Sequence, residues 1–418
     1  MADSFFNMSD EAEFFNEHLS PGIIDEWETY SKLFAMCDKS WKHVDEEGKY
    51  AKQRIGIRGS QSYGARSTPV YPDAQQSVIH RTLVYMKRME MFSLGFEGMA
   101  MEASRGKGTV VSPVDFEQDE QYKEIGDDLS RQIIGDGTGR LAQCNGAGSP
   151  GTALIIDHPR YADPTRFFKP GRVIDIYQAD HDTQEVNSAK ISAVNPDTKT
   201  LTIPSSTWTD DSWILSEDAV AATEGAGLGE AMGLMGICLN TDPAIPNAAN
   251  GLQGVAVAGY PEWKAQVFGN SGTDRDLVED LFIQVLQRVE RYSQVSVILV
   301  GPGTYRKWFS ILAAYKGIVN DKTLWGGFTG LPFVYNGRVI PVVMDEFIPD
   351  KVAIFMNEKN LTIHVLTPGM IWWEQGTAGG IMQKVAKQNR YVAEGHLFGN
   401  LATQLRPGFG ILTDIRQP

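Results

Sequence analysis

Residues 130–143 read SRQIIGDGTGRLAQ, with three glycines at alternate positions, Gly135, Gly137 and Gly139. Taken alone, such a run looks like a loop that cradles a phosphate. A phosphate cradle follows a strand and opens a helix, so that backbone N–H groups and the helix N-terminus face the anion. Here the order is reversed. Ser112 and Asp115 have the spacing of a capping box, and Pro113 falls at the first helical position. Ile125, Leu129 and Ile133 then recur every four residues, with Phe116 and Tyr122 near the same face. The glycines come where this helix stops. Gly135 is placed to end it as a left-handed residue just past the C-terminus. The negative end of the helix dipole would face any phosphate there, and no Lys-Ser or Lys-Thr follows.

The helix is acidic. Asp115, Glu117, Asp119, Glu120, Glu124, Asp127 and Asp128 outnumber Lys123 and Arg131. Upstream the sign inverts. Lys49, Lys52, Arg54, Arg58, Arg66, Arg81, Lys87 and Arg88 face a single acid, Asp73, over residues 49–88. The centre of that segment is rich in glycine, serine and proline, and its flanks alternate like strands. It reads as a long two-stranded arm with a loose tip, and an isolated hairpin of that kind needs a surface to lie on. A basic arm beside an acidic helix points to pairing between neighbouring copies, where charge complementarity sets register; pairing within the chain and a merely solvated helix face are the alternatives.

The N-terminal residues 1–31 carry eight acids and no Lys or Arg, interrupted by Phe5-Phe6 and Phe14-Phe15. Two readings fit: a short amphipathic helix with a solvated face, or an arm that docks on another chain. Such an acidic start is neither a signal nor a transit peptide.

Downstream of the glycines, residues 163–218 contain RVIDIY, AKISAV, KTLTIP and SWILS, four short strands separated by turns, which predicts a small barrel-like insert. Asp180-His181-Asp182 reads as a turn, because adjacent strand residues point to opposite faces and chelate poorly. Residues 224–237, EGAGLGEAMGLMGI, read as a loop and helix cap. From Thr273 the pattern turns α/β: a capping box at Thr273 and Asp276, a helical stripe of Leu277, Leu281, Val285 and Val289, the buried strand VSVILV, a second helix after GPGT, and a hairpin around Asn336-Gly337. A β-rich end closes the chain from Ile371.

Composition excludes several classes. The chain has 418 residues, is 42% hydrophobic and carries a net charge of −14, which argues against a protein built to grip nucleic acid. No apolar run reaches the length of a membrane span. Cys37, Cys144 and Cys238 are scattered, with neither a disulfide framework nor zinc spacing, as expected of a protein made in a reducing cytoplasm. The seven histidines are isolated, and no nucleophile elbow occurs. One strand–glycine–helix order does suit a phosphate, at Gly301-Pro302-Gly303, although Pro302 removes a donor. No catalytic residue, cofactor or metal ligand is assigned.

Taken in order, these pieces resemble a tailed-bacteriophage major capsid protein of the Hong Kong 97 type. They are a basic hairpin, a long helix ending in Gly135-Asp136-Gly137-Thr138-Gly139, a β-rich insert, Gly233-Leu234-Met235-Gly236-Ile237, an α/β unit and a β-rich return. The resemblance covers nearly the whole chain and implies an α+β fold. Residues 1–50 would be an N-terminal arm, 51–100 the extended loop, and 101–162 the peripheral domain with its spine helix at 113–134. Residues 163–218 would be the insertion domain, 219–260 the return and linker, 261–370 the axial domain, and 371–418 the return to the peripheral and axial domains. It further implies homo-pentamers and homo-hexamers forming an icosahedral head around double-stranded DNA, without sequence-specific binding and without a membrane. The head would assemble in the bacterial host cytoplasm as a procapsid that then expands. A portal protein would be a partner, with room for a decoration protein. Only about fifty residues precede the hairpin, so either a separate scaffolding protein is expected or the acidic arm is all that is needed. The extended loop of such proteins crosses a neighbour, which predicts that Arg54, Arg58 and Arg66 meet Asp119, Glu120, Glu124 and Asp127 of the next copy. No lysine occurs between Gln53 and Met86, so the lysine–asparagine cross-link of some members is not expected. A nanocompartment shell of the same fold, or an α/β nucleotide-binding enzyme using Gly301-Pro302-Gly303, are the competing readings.

Overall fold

The computed structural model describes residues 32–40, 50–65, 71, 73–74, 76–85, 87–97, 113–179, 183–217, 219, 230–240, 252–314, 322–323, 329–366, 371–374, 383–385 and 388–416. The chain opens with helix α1 (Lys32–Met36) and strand β1 (Asp38–Ser40). β2 (Tyr50–Arg58) and β3 (Val78–Tyr85) pair antiparallel as an isolated ribbon. β4 (Lys87–Glu97) follows, then the long helix α2 (Pro113–Ile134). Ser112 and the side chains of Asp115 and Phe116 lie outside the described residues.

α2 buries Tyr122, Ile125, Leu129 and Ile133, an i, i+3, i+4 stripe. This face joins a core with Leu33 and Phe34 of α1 and Met89 and Phe92 of β4. The helix does not stop as the sequence predicts. Gly135 is not left-handed; its N–H closes the last turn onto the carbonyls of Arg131 (2.8 Å) and Gln132 (3.1 Å). The left-handed residues are Gly137 (φ 78°) and Gly139 (φ 72°). Between them the Asp136 carboxylate accepts from the Thr138 N–H (3.1 Å), an Asx turn that reverses the chain two residues later than expected.

The insert is a seven-stranded antiparallel sheet: β5 (Ala142–Cys144), β6 (Gly148–Asp157), β7 (Val173–Tyr177), β8 (Gln184–Lys190), β9 (Ala193–Asn195), β10 (Thr200–Trp208) and β11 (Trp213–Ser216), in the order β8-β7-β11-β5-β6-β10-β9. It therefore begins at Ala142, ahead of the boundary expected at residue 163. Leu154, Ile156, Ile174, Ile176, Leu201, Ile203, Trp208 and Ile214 fill one core. Asp180, His181 and Asp182 fall outside the described residues.

The chain returns through the short helix α3 (Leu234–Cys238) to an α/β unit. Its strands β12 (Gln266–Phe268), β13 (Val297–Val300), β14 (Lys322–Thr323), β15 (Thr329–Tyr335), β16 (Arg338–Met344), β17 (Ala353–Met356) and β22 (Gly410–Leu412) run in the order β12-β22-β17-β13-β16-β15-β14. Helices α4 (Glu279–Val289) and α5 (Pro302–Ala314) cover one face. In β13, Ile298 and Val300 join the core under these helices, while Val297 and Leu299 join the core of α2. Burial on both faces explains an unbroken apolar run. Asn336 (φ 48°) and Gly337 (φ 74°) form the two-residue turn joining β15 to β16.

The capping box at Thr273 and Asp276 does not form. α4 starts at Glu279 behind Val278, which makes no side-chain cap. The preceding stretch is extended because Arg275 pairs with the C-terminal segment, its N–H donating to the Asp414 carbonyl (2.8 Å). The buried stripe is consequently Phe282, Val285, Leu286 and Val289; Leu277 is buried outside the helix and Leu281 only partly.

Strands β18 (Leu361–Val365), β19 (Ile371–Trp373), β20 (Gln383–Lys384) and β21 (Arg390–Thr403) complete a six-stranded sheet with β1 and β4. The fully buried Arg406 ties this return to α3, donating to the carbonyls of Ile237 (3.0 Å) and Leu239 (2.7 Å). No helix among the described residues is long and apolar enough to cross a membrane.

Candidate assembly surfaces and the junction that positions them

The ribbon has two unlike faces because strand side chains alternate. On β2, Ala51 and Ile55 are buried, while Lys52, Arg54, Gly56 and Arg58 are exposed. Ala51 packs with Val84 and Ala402, and Ile55 with Val255 and Trp263. The ribbon thus lies with its apolar face on its own chain and its basic face outward. Arg54 and Arg58, two of the three arginines predicted to meet a neighbour, do not share one environment. Arg58 is engaged within the chain, its Nε donating to Glu262 Oε1 at 2.9 Å. Arg54 is exposed and stands opposite Arg81 in register. Arg66 lies outside the described residues. Tyr63 and Tyr71, beyond the strands, are exposed at 75% and 92%.

Of the predicted acidic partners, Asp119 and Glu120 sit within α2, with side chains outside the described residues. Glu124 and Asp127 are half-exposed and share a cation of their own chain: Lys169 of the insert bonds Glu124 and stands 3.8 Å from Asp127. Burial raises the Asp127 carboxyl above its ordinary value, with Lys169 acting against that rise.

A buried network that the sequence reading missed sits one turn further on. Arg131 is bidentate to Asp128 (3.1 Å to each oxygen) and bidentate to Glu230 (2.9 and 2.6 Å). Arg172 of the insert adds a bond to Asp128 at 2.9 Å and one to Ser216 at 2.7 Å. Burial alone would raise the Asp128 carboxyl; the two guanidiniums overcome it and hold the group well below the usual carboxylate range. Asp136 behaves alike, with burial outweighed by Arg160 at 2.8 Å and by Thr138. Glu230 lies 99 residues from Arg131 in sequence, so no local spacing marks the pair.

Arg131, Asp136 and Glu230 line a cleft of about 120 Å³ between the end of α2 and the insert, walled by His158, Arg160, Tyr161 and Trp213. Burial, aided by Arg160, pushes the His158 imidazole down to about 3, so the ring is neutral at ordinary pH. A second tie joins the insert to the α/β unit. Tyr161 Oη donates to the Phe347 carbonyl at 2.8 Å, and Arg166 lies over the Tyr161 and Phe167 rings while donating to the Glu346 carbonyl.

The glycine turn at Gly301-Pro302-Gly303 is not a phosphate cradle. The Gly303 N–H donates to Asp350 Oδ1 at 3.1 Å, and the Thr304 hydroxyl to the Asp350 carbonyl at 2.6 Å. A Cβ on Gly301 would stand 2.3 Å from the Pro349 carbonyl oxygen. The turn's glycine serves close packing against residues 349–350, and a carboxylate occupies the donor a phosphate would need.

No family model matches the sequence, and no curated protein matches it. Solved structures do. A chain of the cyanophage A-1(L) capsid asymmetric unit superposes with a TM-score of 0.50 at 12% identity, over 100% of this chain and 95% of that one. The capsid of a native GTA particle gives 0.46 at 8% identity, over 92% and 90%. Mycobacterium phage Bobi gives 0.43 at 8% identity, over 92% and 90%. The cyanophage likeness shows that this chain has the fold of a phage capsid protein along its whole length.

Proposed function

We propose that this protein is a major capsid protein. Copies assemble as pentamers and hexamers into the icosahedral head, first as a procapsid and then as an expanded shell, enclosing the double-stranded DNA of a tailed bacteriophage. The observation that carries the reading is the whole-length likeness to a cyanophage capsid chain. The outward basic ribbon supports it, because a two-stranded hairpin with one charged face exposed is suited to a surface on another molecule. The net charge of −14 suits a wall that must not hold DNA tightly as it is packaged.

In this reading the ribbon of one copy lies over a neighbouring copy, with Arg54, Arg58 and Arg66 directed at Asp119, Glu120, Glu124 and Asp127. Each such pair is weak, and strength comes from repetition around the shell. The inserted sheet, running from Ala142, is a domain added between the spine helix and the axial α/β unit. A separate scaffolding protein and a portal protein are the expected partners, a decoration protein an additional one, and the virion the final location.

The test is expression of the full chain alone and with its candidate scaffold, followed by gradient sedimentation and imaging of the fast fraction. Closed shells, or discrete pentamers and hexamers, are the expected result. A monomer or dimer under every condition would overturn the proposal. Shells should also run as a single band on a denaturing gel, because no lysine lies between Gln53 and Met86 to form a covalent cross-link; a ladder would overturn that expectation.

A further inference from the structure

The sequence holds three Asn-Gly pairs, at 145–146, 250–251 and 336–337, and the second lies outside the described residues. With glycine next in the chain, no Cβ hinders its backbone nitrogen from approaching the asparagine side-chain carbonyl carbon. The two described pairs differ. Asn336-Gly337 is the tip of the β15–β16 hairpin, and among the described residues no carboxylate accepts from the Gly337 N–H. Asn145-Gly146 joins β5 to β6, and both residues are exposed. Gly146 has φ 91°, and a Cβ built on it would meet nothing within 4 Å. The Asn145 carboxamide makes no hydrogen bond among the described residues.

What sets this turn apart is Asp210, an exposed residue of the turn between β10 and β11. Its Oδ1 accepts from the Gly146 N–H at 2.6 Å. Two further bonds fix the turns against each other. Trp208 Nε1 donates to the Gly146 carbonyl at 3.1 Å, and the Asp211 N–H donates to the Cys144 carbonyl at 3.0 Å. A general base must stand within hydrogen-bond reach, about 2.6–3.2 Å, of the proton it takes. Asp210 does so for the nitrogen that would attack Asn145. A neutral acceptor would only pin that N–H; a carboxylate can also accept its proton.

We propose that Asn145 is a self-modification site at which Asp210 is the general base. Asp210 takes the proton of the Gly146 N–H as that nitrogen bonds to Asn145 Cγ. The Cγ–N bond of the carboxamide then breaks, and ammonia leaves carrying that proton. Water opens the resulting cyclic imide at either carbonyl, giving aspartate or isoaspartate. No oxidant, reductant or cofactor enters. Either product adds a carboxylate to a turn that Asp210 already faces, and isoaspartate also lengthens the backbone between β5 and β6 by one carbon. The proposal stands independently of the shell reading.

The full-length chain, aged at neutral pH and digested with trypsin, reports both pairs at once. Tryptic peptides 141–160 and 323–338 each contain a single asparagine, Asn145 and Asn336. Mass spectrometry should show acid replacing amide at Asn145 faster than at Asn336 by about tenfold or more, with isoaspartate among the products. Asp210→Asn keeps an oxygen that accepts from the Gly146 N–H but cannot take its proton. This variant should melt with the parent and slow the loss at Asn145 by about tenfold or more, with Asn336 unchanged. Asp210→Ala, which removes the acceptor as well, should be equally slow. If the carboxylate only pins the amide, Asn145 keeps its rate in Asp210→Asn and gains in Asp210→Ala; either result overturns the proposal. A parent rate at Asn145 no higher than at Asn336, or a slowing in Asp210→Asn that Asn336 shares, overturns it as well.

Discussion

The end of α2 and the β2–β3 ribbon both concentrate charge, and they use it in opposite ways. At the helix end, Asp128, Arg131, Glu230 and Arg172 face one another in a nearly dry junction, every bond closed within one chain. On the ribbon, Lys52, Arg54 and Arg58 are exposed, and Arg54 has Arg81 as its register partner. Buried charge fixes geometry, because removing one partner strands the other where water cannot reach. Exposed charge does little for the stability of the monomer.

The difference can be broken hardest at Arg131. Arg131→Ala leaves Asp128 and Glu230 facing each other without their shared cation and should cost about 3–5 kcal/mol in denaturant unfolding. A loss near zero would mean the junction is wet and the contrast false. Acid probes the same region next. The folded pKa of His158 is depressed to about 3 against an ordinary value near 6.5. The unfolded chain therefore binds the extra proton first, and stability should fall as pH drops from about 6.5 toward 3, by a few kcal/mol. Asp128, held low in the fold, adds a further loss below about pH 4, where the unfolded carboxyl protonates. Melting His158→Asn across this range should give a flatter profile above pH 4; an unchanged slope would assign the proton elsewhere.

Gly233→Ala tests the tightness of the junction. A Cβ there would stand 2.3 Å from the Gly135 carbonyl oxygen and 2.5 Å from that of Gln132. Backbone atoms cannot swing away, so about 2 kcal/mol should be lost. Gly137→Ala has ordinary space around its new methyl, and its cost is the left-handed backbone alone, about 1–2 kcal/mol. The smallest effect belongs to the ribbon. Arg58→Ala, which opens the exposed pair with Glu262, should leave the melting temperature of the monomer unchanged. A clear drop would show that the ribbon's charges also hold their own chain together.

Much of the fold was legible because local chemistry marked it. The stripe of Ile125, Leu129 and Ile133, the run of Val297–Val300 and the Asn336-Gly337 turn each carry their structure in adjacent residues. What escaped depends on distant contacts. β6 reads GSPGTALIID, with too much glycine and proline to look like a strand. It is one because Trp208 lies over Gly148 and Gly151, where a Cβ would come within 2.4 and 3.0 Å of the ring. The capping box at Thr273 was locally sound and lost to the C-terminal segment pairing with Arg275. Gly135 was the right residue type at the wrong step, since the Asx turn of Asp136 carries the reversal to Gly137. The arginines of the ribbon were visible as a charge run. That Arg58 turns to Glu262 was not, because its partner lies 204 residues away.

Phe347 sits against two cores at once, the one beneath α2 and the one inside the inserted sheet. It follows β16 directly, and its carbonyl is the anchor for Tyr161. In engineering language the insert is a gusset, a plate fixed along two members that meet at an angle. One edge is bolted to α2 through Arg172 and Asp128, the other to the segment after β16 through Tyr161, Arg166 and Phe347. A push on the plate is shared by both members, and neither can swing without shearing a row of bolts.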